Sequence, residues 1–186
     1  GALNDTLYVD ALAGGVARTV NGNGGAGNVL YVDAQGQAAN DNGSQITFGG
    51  GYGTVTYSNF QTVTITGAAL TVTGDGNANT LTVTATNANS GSYQLDGGTV
   101  VNFSALTSLT FNAGGGNDTL ILNHPAATLF APSGGIFYNG GGQTTSPNGD
   151  SLTINGASLS LTSVTHRFDP PGADGNNGWI QEVLGP

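Results

Sequence analysis

The sequence predicts an all-β fold, and within that class a parallel β-solenoid (β-helix) of coils about 20 residues long. Three observations predict it. Apolar residues alternate with Thr, Ser or Asn over short runs, the two-residue period of a half-buried strand. Clusters of Gly, Asn and Asp separate the runs, and these residues tolerate the positive φ of tight reversals. One stretch of the chain also recurs with its apolar positions kept. An antiparallel β-sandwich shares the first two features, because alternation does not reveal strand direction, and it stands as the alternative.

Taken in order, the alternation predicts short strands from Leu7 to Val9, Leu30 to Val32, Gln45 to Phe48, Thr54 to Tyr57, Thr62 to Thr66, Leu70 to Thr73 and Thr80 to Thr86. It continues from Ser92 to Leu95, Thr99 to Phe103, Leu109 to Phe111, Thr119 to Leu122, Gly135 to Tyr138, Ser151 to Ile154 and Ser158 to Thr162. Turn clusters lie at Asn21 to Asn28, Gly49 to Gly53, Gly74 to Asn79 and Gly114 to Asp118. A closing strand is expected at Trp179-Ile180, with Trp179 covering the open end of the core. The whole chain, 1–186, reads as one domain: irregular coils over 1–53, the best-defined repeats over 54–142, and C-terminal coils with a cap over 143–186.

The repeat is specific. Val55 to Ile65 (VTYSNFQTVTI) recurs 46 residues later as Val101 to Phe111 (VNFSALTSLTF), with Phe60 matched by Leu106 and Val63 by Leu109. A second element is Asp or Asn two residues before a strand leucine: Asp5 and Leu7, Asn28 and Leu30, Asn79 and Leu81, Asp118 and Leu120, Asp150 and Leu152. Such a residue is expected to start its turn by hydrogen bonds from its side chain to the backbone.

Composition narrows the function. A formal net charge of -9, with Arg18 and Arg167 as the only strong cations and no lysine, excludes a nucleic-acid partner, because binding phosphates needs clustered Lys or Arg. Anionic membranes are disfavoured for the same reason, and no apolar run approaches the roughly 20 residues of a membrane span, so no membrane insertion is expected. The absence of Cys removes disulfides, thiolate metal sites and cysteine nucleophiles together. The chain enters its β pattern almost at once, at Leu3, and reads as a mature or excised module.

No catalytic constellation stands out. The acids sit singly in turns, no GxSxG elbow occurs, and His124 and His166 are expected at strand ends or on the surface. Rows of threonine, at Thr62, Thr64 and Thr66 and at Thr80, Thr82 and Thr84, would form a hydroxyl-and-methyl surface if they stack, the pattern of threonine-rich ice-binding solenoids. High β propensity explains the same threonines without a ligand. Terminal segments carrying Leu3, Leu7 and Val9 at one end and Trp179, Ile180 and Val183 at the other are candidate assembly edges.

The run Gly114-Gly115-Gly116-Asn117-Asp118-Thr119-Leu120 resembles the haemolysin-type (RTX-like) nonapeptide GGxGxDxLx, with Ala113 where the first glycine would stand. That resemblance implies Ca²⁺ held by turn carbonyls and the Asp118 carboxylate, although no tandem array accompanies it; no cofactor is required. The segments TLTVTATNANSGSYQLDGG, VNFSALTSLTFNAGGGNDTL and LFAPSGGIFYNGGG are similar to repeat modules of very large bacterial cell-surface, adhesin-like proteins. The likeness implies an extracellular or cell-surface location and a non-enzymatic structural or adhesive role. Its partners would be further copies, neighbouring repeats of a larger protein, or a surface glycan.

Overall fold

The computed structural model describes residues 3–126, 128–143 and 149–156 in full, and the strands at 161–168 and 178–184 by their backbone. Among the described residues there are strands and no helix. They are β1 (Thr6–Asp10), β2 (Arg18–Asn21), β3 (Val29–Asp33), β4 (Ala39–Asp41), β5 (Gln45–Phe48), β6 (Val55–Ser58), β7 (Thr62–Thr66), β8 (Ala69–Thr73) and β9 (Thr80–Asn87). There follow β10 (Ser90–Leu95), β11 (Val100–Ser104), β12 (Ser108–Asn112), β13 (Thr119–Asn123), β14 (Ile136–Asn139), β15 (Ser151–Asn155), β16 (Leu161–Phe168) and β17 (Gly178–Leu184).

The strands form two mixed sheets, neither closed into a barrel. Sheet I runs β1-β3-β7-β11-β10-β9-β13-β15, and sheet II runs β16-β17-β14-β12-β8-β4-β5-β6-β2. Parallel pairs carry the chain from turn to turn: β1 with β3, β3 with β7 and β7 with β11 in sheet I, and β4 with β8 and β8 with β12 in sheet II. Among the described residues antiparallel strand pairs occur in two three-stranded meanders, β4-β5-β6 and β9-β10-β11, and at the β14-β17-β16 end, with one isolated antiparallel bridge between Ala13 and Tyr52.

The inner faces follow directly from the alternation. Along β7, Val63 and Ile65 are fully buried between half-buried threonines, and β8, β9, β12 and β13 repeat the pattern. Leu30, Val63, Val101 and Tyr93 from sheet I share one core cluster with Ala39, Leu70, Val72, Leu109 and Phe111 from sheet II. Each large aliphatic side chain removed from water there contributes about 1.5–3 kcal/mol before the entropy of ordering it.

The 46-residue repeat has a structural meaning that spacing alone does not give. It joins β6, a corner and β7 in its first copy, and β11, a corner and β12 in its second. The sheets are exchanged, because β6 and β12 belong to sheet II and β7 and β11 to sheet I. At each corner the same position takes a left-handed backbone, Asn59 at φ 58° and Ala105 at φ 55°. The next residue, Phe60 or Leu106, is buried and plugs the turn.

Strands β2 and β4 lie outside the expected segments, and His124 lies at a strand end, one of its two expected places, but not on the surface. It sits at the end of β13 with its backbone N–H donating to the Asn155 carbonyl, and its ring is buried, 2% exposed. A proline immediately after it turns the chain without bringing the ring into solvent.

Candidate functional site

The recurring Asp or Asn before each strand forms two columns at the edge where the chain enters sheet I. In the first, the Asp5 N–H donates to Asn28 Oδ1 at 2.8 Å, and the Asn28 N–H donates to Gln61 Oε1 at 2.7 Å. In the second, the Asn79 N–H donates to Asp118 Oδ1 at 2.7 Å, and the Asp118 N–H donates to Asp150 Oδ1 at 2.8 Å. Each side chain thus accepts the backbone N–H of the turn stacked before it. The expected side-chain to backbone bonds are present, but they reach across strands as well as within the turn. Asn28 does both, since its Nδ2 also donates to the Gly22 carbonyl at 2.7 Å, whereas Asn79 Oδ1 accepts the Asp75 N–H of its own turn at 2.9 Å.

Members of the columns differ in what faces the second polar atom. Asn28 uses its amide nitrogen to donate to the carbonyls of Gly22, at 2.7 Å, and Asn59, at 3.1 Å. Asn79 donates to Asp96 Oδ2 at 2.8 Å. Asp118 has an oxygen in place of that nitrogen, and its Oδ2 is buried with no hydrogen-bond partner. Burial raises the Asp118 pKa; the hydrogen bond from Asn79 opposes the rise, and the nearby carboxylates of Asp150, Asp96 and Asp75 add to it. Glycines pack these turns tightly: a Cβ at Gly114 would overlap the Asp75 carbonyl oxygen, and one at Gly141 the Gly114 carbonyl oxygen. Among the described residues no three of His, Asp and Glu converge as a metal-holding group. Asp118, the predicted metal ligand, belongs to no such group.

Sequence reasoning missed the second polar centre. Asp41, on β4, is completely buried between the sheets. Its Oδ1 accepts from the Tyr57 hydroxyl on β6 at 2.9 Å and from the Gly43 N–H at 3.1 Å, and its Oδ2 accepts from the Tyr93 hydroxyl on β10 at 2.6 Å. Burial raises the Asp41 pKa, and the bonds from Tyr93, Tyr57 and the backbone of Gly43 and Asn42 counter that rise. Burial together with the Asp41 charge pushes both tyrosine hydroxyls upward, so they remain donors at ordinary pH. Asp41 pins one meander to the other across the core. It offers no open face to a ligand.

The predicted threonine rows are kept apart. Thr62, Thr64 and Thr66 on β7 stand beside Val29, Tyr31 and Asp33 of β3 and Val100, Asn102 and Ser104 of β11. Thr80, Thr82 and Thr84 on β9 stand beside Thr119, Ile121 and Asn123 of β13. Strands β11 and β10 separate the two rows.

The predicted edges also differ from one another. Trp179, Ile180 and Val183 lie on β17, which pairs along its length with β16 and with β14 only at Gly178; the outermost strand there is β16. Leu7 and Val9 lie on β1, the outermost strand of sheet I, with Leu3 just before it. Exposed large apolar side chains concentrate at this end, at Leu3, Leu7, Tyr8, Leu12 and Val16, and Tyr8 stacks on Tyr31 at 4.9 Å. Arg18, on the outermost strand β2 of sheet II, has two guanidinium nitrogens that are buried and unpartnered among the described residues.

No protein-family model, no curated protein and no solved structure matches the chain.

Proposed function

We propose that the chain is a non-enzymatic structural or adhesive module of the coil-stacked β-solenoid type, acting outside the cell or at its surface, whose copies join through an exposed β edge. One observation carries this reading: several of the polar side chains buried in the fold bind one strand to another. Asn28, Asp118 and Asp41 each satisfy backbone or tyrosine groups from neighbouring strands, a role of holding strands together and not of performing chemistry. The apolar end around β1 supplies the contact. Electron microscopy of the purified chain over a range of concentrations tests the proposal. Filaments or end-joined rods support it, and particles that stay single at the highest soluble concentration refute its assembly step.

The buried, unpartnered Oδ2 of Asp118 favours one second reading, a module whose stability depends on Ca²⁺. In that reading a chelator lowers the melting temperature and added Ca²⁺ restores it. A melting temperature indifferent to both removes it. The interrupted threonine rows give ice binding no comparable support.

A further inference from the structure

We infer that copies of this chain join head to tail in sheet I, with β15 of one copy pairing in parallel with β1 of the next, Asp150 opposite Asp5 and Leu152 opposite Leu7. The inference rests on the structural-module reading and specifies its contact.

The argument starts from an identity. Asn4-Asp5-Thr6-Leu7, leading into β1, repeats as Asn117-Asp118-Thr119-Leu120, leading into β13. The second copy is interior to sheet I, so it shows what this sequence receives on the side that β1 leaves bare. There it receives β9, in the register Thr119 to Thr80 and Leu120 to Leu81. The Asn79 N–H donates to the Asp118 carboxylate, and the Thr119 N–H donates to the Asn79 carbonyl at 2.8 Å. The strand received therefore begins Asn-Thr-Leu. At the far edge of sheet I, β15 begins with the same kind of triplet, Asp150-Ser151-Leu152.

The hydrogen-bonding phase agrees as well. Within the chain, Val29 N–H donates to the Asp5 carbonyl and Ala11 N–H to the Asp33 carbonyl, so the odd-numbered residues of β1 face β3. The N–H and C=O groups of Thr6 and Tyr8 consequently face outward. On β15, Ser151 N–H donates to the Asp118 carbonyl and the Asn155 carbonyl accepts from His124, which turns Leu152 and Ile154 outward. In the proposed register the outward groups meet. Thr6 N–H reaches the Asp150 carbonyl as Thr119 reaches Asn79, and Asp150 N–H reaches the Asp5 carboxylate as Asn79 reaches Asp118.

The side chains complete the case. Leu7 is 37% exposed, whereas its parallel neighbour Leu30 is fully buried, so Leu7 lacks the outer strand that Leu30 has. Leu152 and Ile154 are likewise only partly buried, and they would cover Leu7 and Val9. Because the two edges differ, the contact is heterologous, and each copy added leaves a new edge open to the next, so the contact propagates a polymer. A net charge of -9 on each copy opposes assembly, which should strengthen as salt screens it.

Two proline variants test the pairing, since each removes an outward N–H that the fold does not use. Tyr8→Pro blocks β1 and Leu152→Pro blocks β15. Light scattering coupled to size exclusion should show concentration-dependent polymers for the unaltered chain and single chains for each variant alone. An equimolar mixture of the variants should form a dimer that grows no further, because one open β1 meets one open β15. Should a proline variant lose its β circular dichroism, Leu7→Lys and Leu152→Lys ask the same question without touching the backbone. Polymers that persist in both variants overturn this pairing while leaving self-assembly standing. An unaltered chain that stays single at every concentration overturns both.

Discussion

Replacing Tyr93 by Phe removes one hydroxyl and almost nothing else, and it should be among the most damaging conservative changes available in this chain. Tyr93 is 2% exposed and its hydroxyl approaches Asp41 Oδ2 at 2.6 Å. Among the described residues Tyr93 is the one side-chain donor to that oxygen, because Tyr57 and Gly43 both serve Oδ1. The variant leaves one oxygen of a fully buried carboxyl without a partner, and a lost hydrogen bond to a charged group costs about 1.5–3 kcal/mol. For a chain of this length that corresponds to a fall in melting temperature of about 4–10 °C. Urea unfolding at neutral pH, followed by circular dichroism, measures it. The companion variant matters as much: Asp41→Leu combined with Tyr57→Phe and Tyr93→Phe removes every side chain of the network and should lie within about 1 kcal/mol of the unaltered protein. The reasoning fails if Tyr93→Phe is neutral within about 0.5 kcal/mol, or if it costs as much when Asp41 is already Leu.

Three further outcomes follow from the same geometry. Asp118→Asn should stabilise the fold by about 1 kcal/mol at neutral pH, because an amide nitrogen replaces the orphaned Oδ2 and the repulsion from Asp150, Asp96 and Asp75 is relieved; a loss of stability on chemical unfolding would refute this. Asp41 and Asp118 both have raised pKa values, so the folded state holds more protons than the unfolded chain in the range above the ordinary carboxyl value of 3.8. Stability should therefore fall as pH rises through that range, giving a higher melting temperature at mildly acid than at neutral pH, and Asp41→Asn should flatten the slope; a melting temperature that instead climbs with pH contradicts the assignment. Ala105→Gly should raise stability by about 0.5–1 kcal/mol, since Ala105 is exposed and held at φ 55°, where glycine avoids the steric cost of a Cβ; equal or lower stability in thermal melts would show that the corner is not strained.

Much of the architecture was legible because the alternation is strong wherever a strand buries large side chains. β7, β8, β9, β12 and β13 all follow it. β2 and β4 escaped notice for the opposite reason. Arg18-Thr19-Val20-Asn21 has a single apolar residue among its inward positions, and Ala39-Asn40-Asp41 carries a carboxylate on its buried side. An acid followed by Asn-Gly reads as an exposed turn, and nothing local announces that Tyr57 and Tyr93, the latter 52 residues away, arrive to solvate it. The turn residues show a milder version of the same limit. Their spacing before each leucine was visible, but only the register reveals that Asn28 and Asp118 accept N–H groups from the preceding turn.

The two copies of the 46-residue repeat run between the sheets in opposite order, so the interval is not one passage through both sheets. From β6 to β11 the chain passes through β7 and β8 and then through the meander β9-β10-β11, which lengthens the interval. In sheet II, β4 is laid down away from β2, and β5 and β6 return to fill the gap; in sheet I, β9 is laid down away from β7, and β10 and β11 fill that gap. Each meander adds two strands to one. Because the addition is even, the chain leaves in the direction in which it entered, so β7 can pair in parallel with β3 and β12 with β8 as though no insertion had occurred. The antiparallel strands therefore widen the stack without reversing it. That parity is also what leaves the two edges of sheet I, β1 and β15, running the same way. Had either meander contained one strand more or fewer, the edges would be opposed, and head-to-tail pairing in parallel would be impossible.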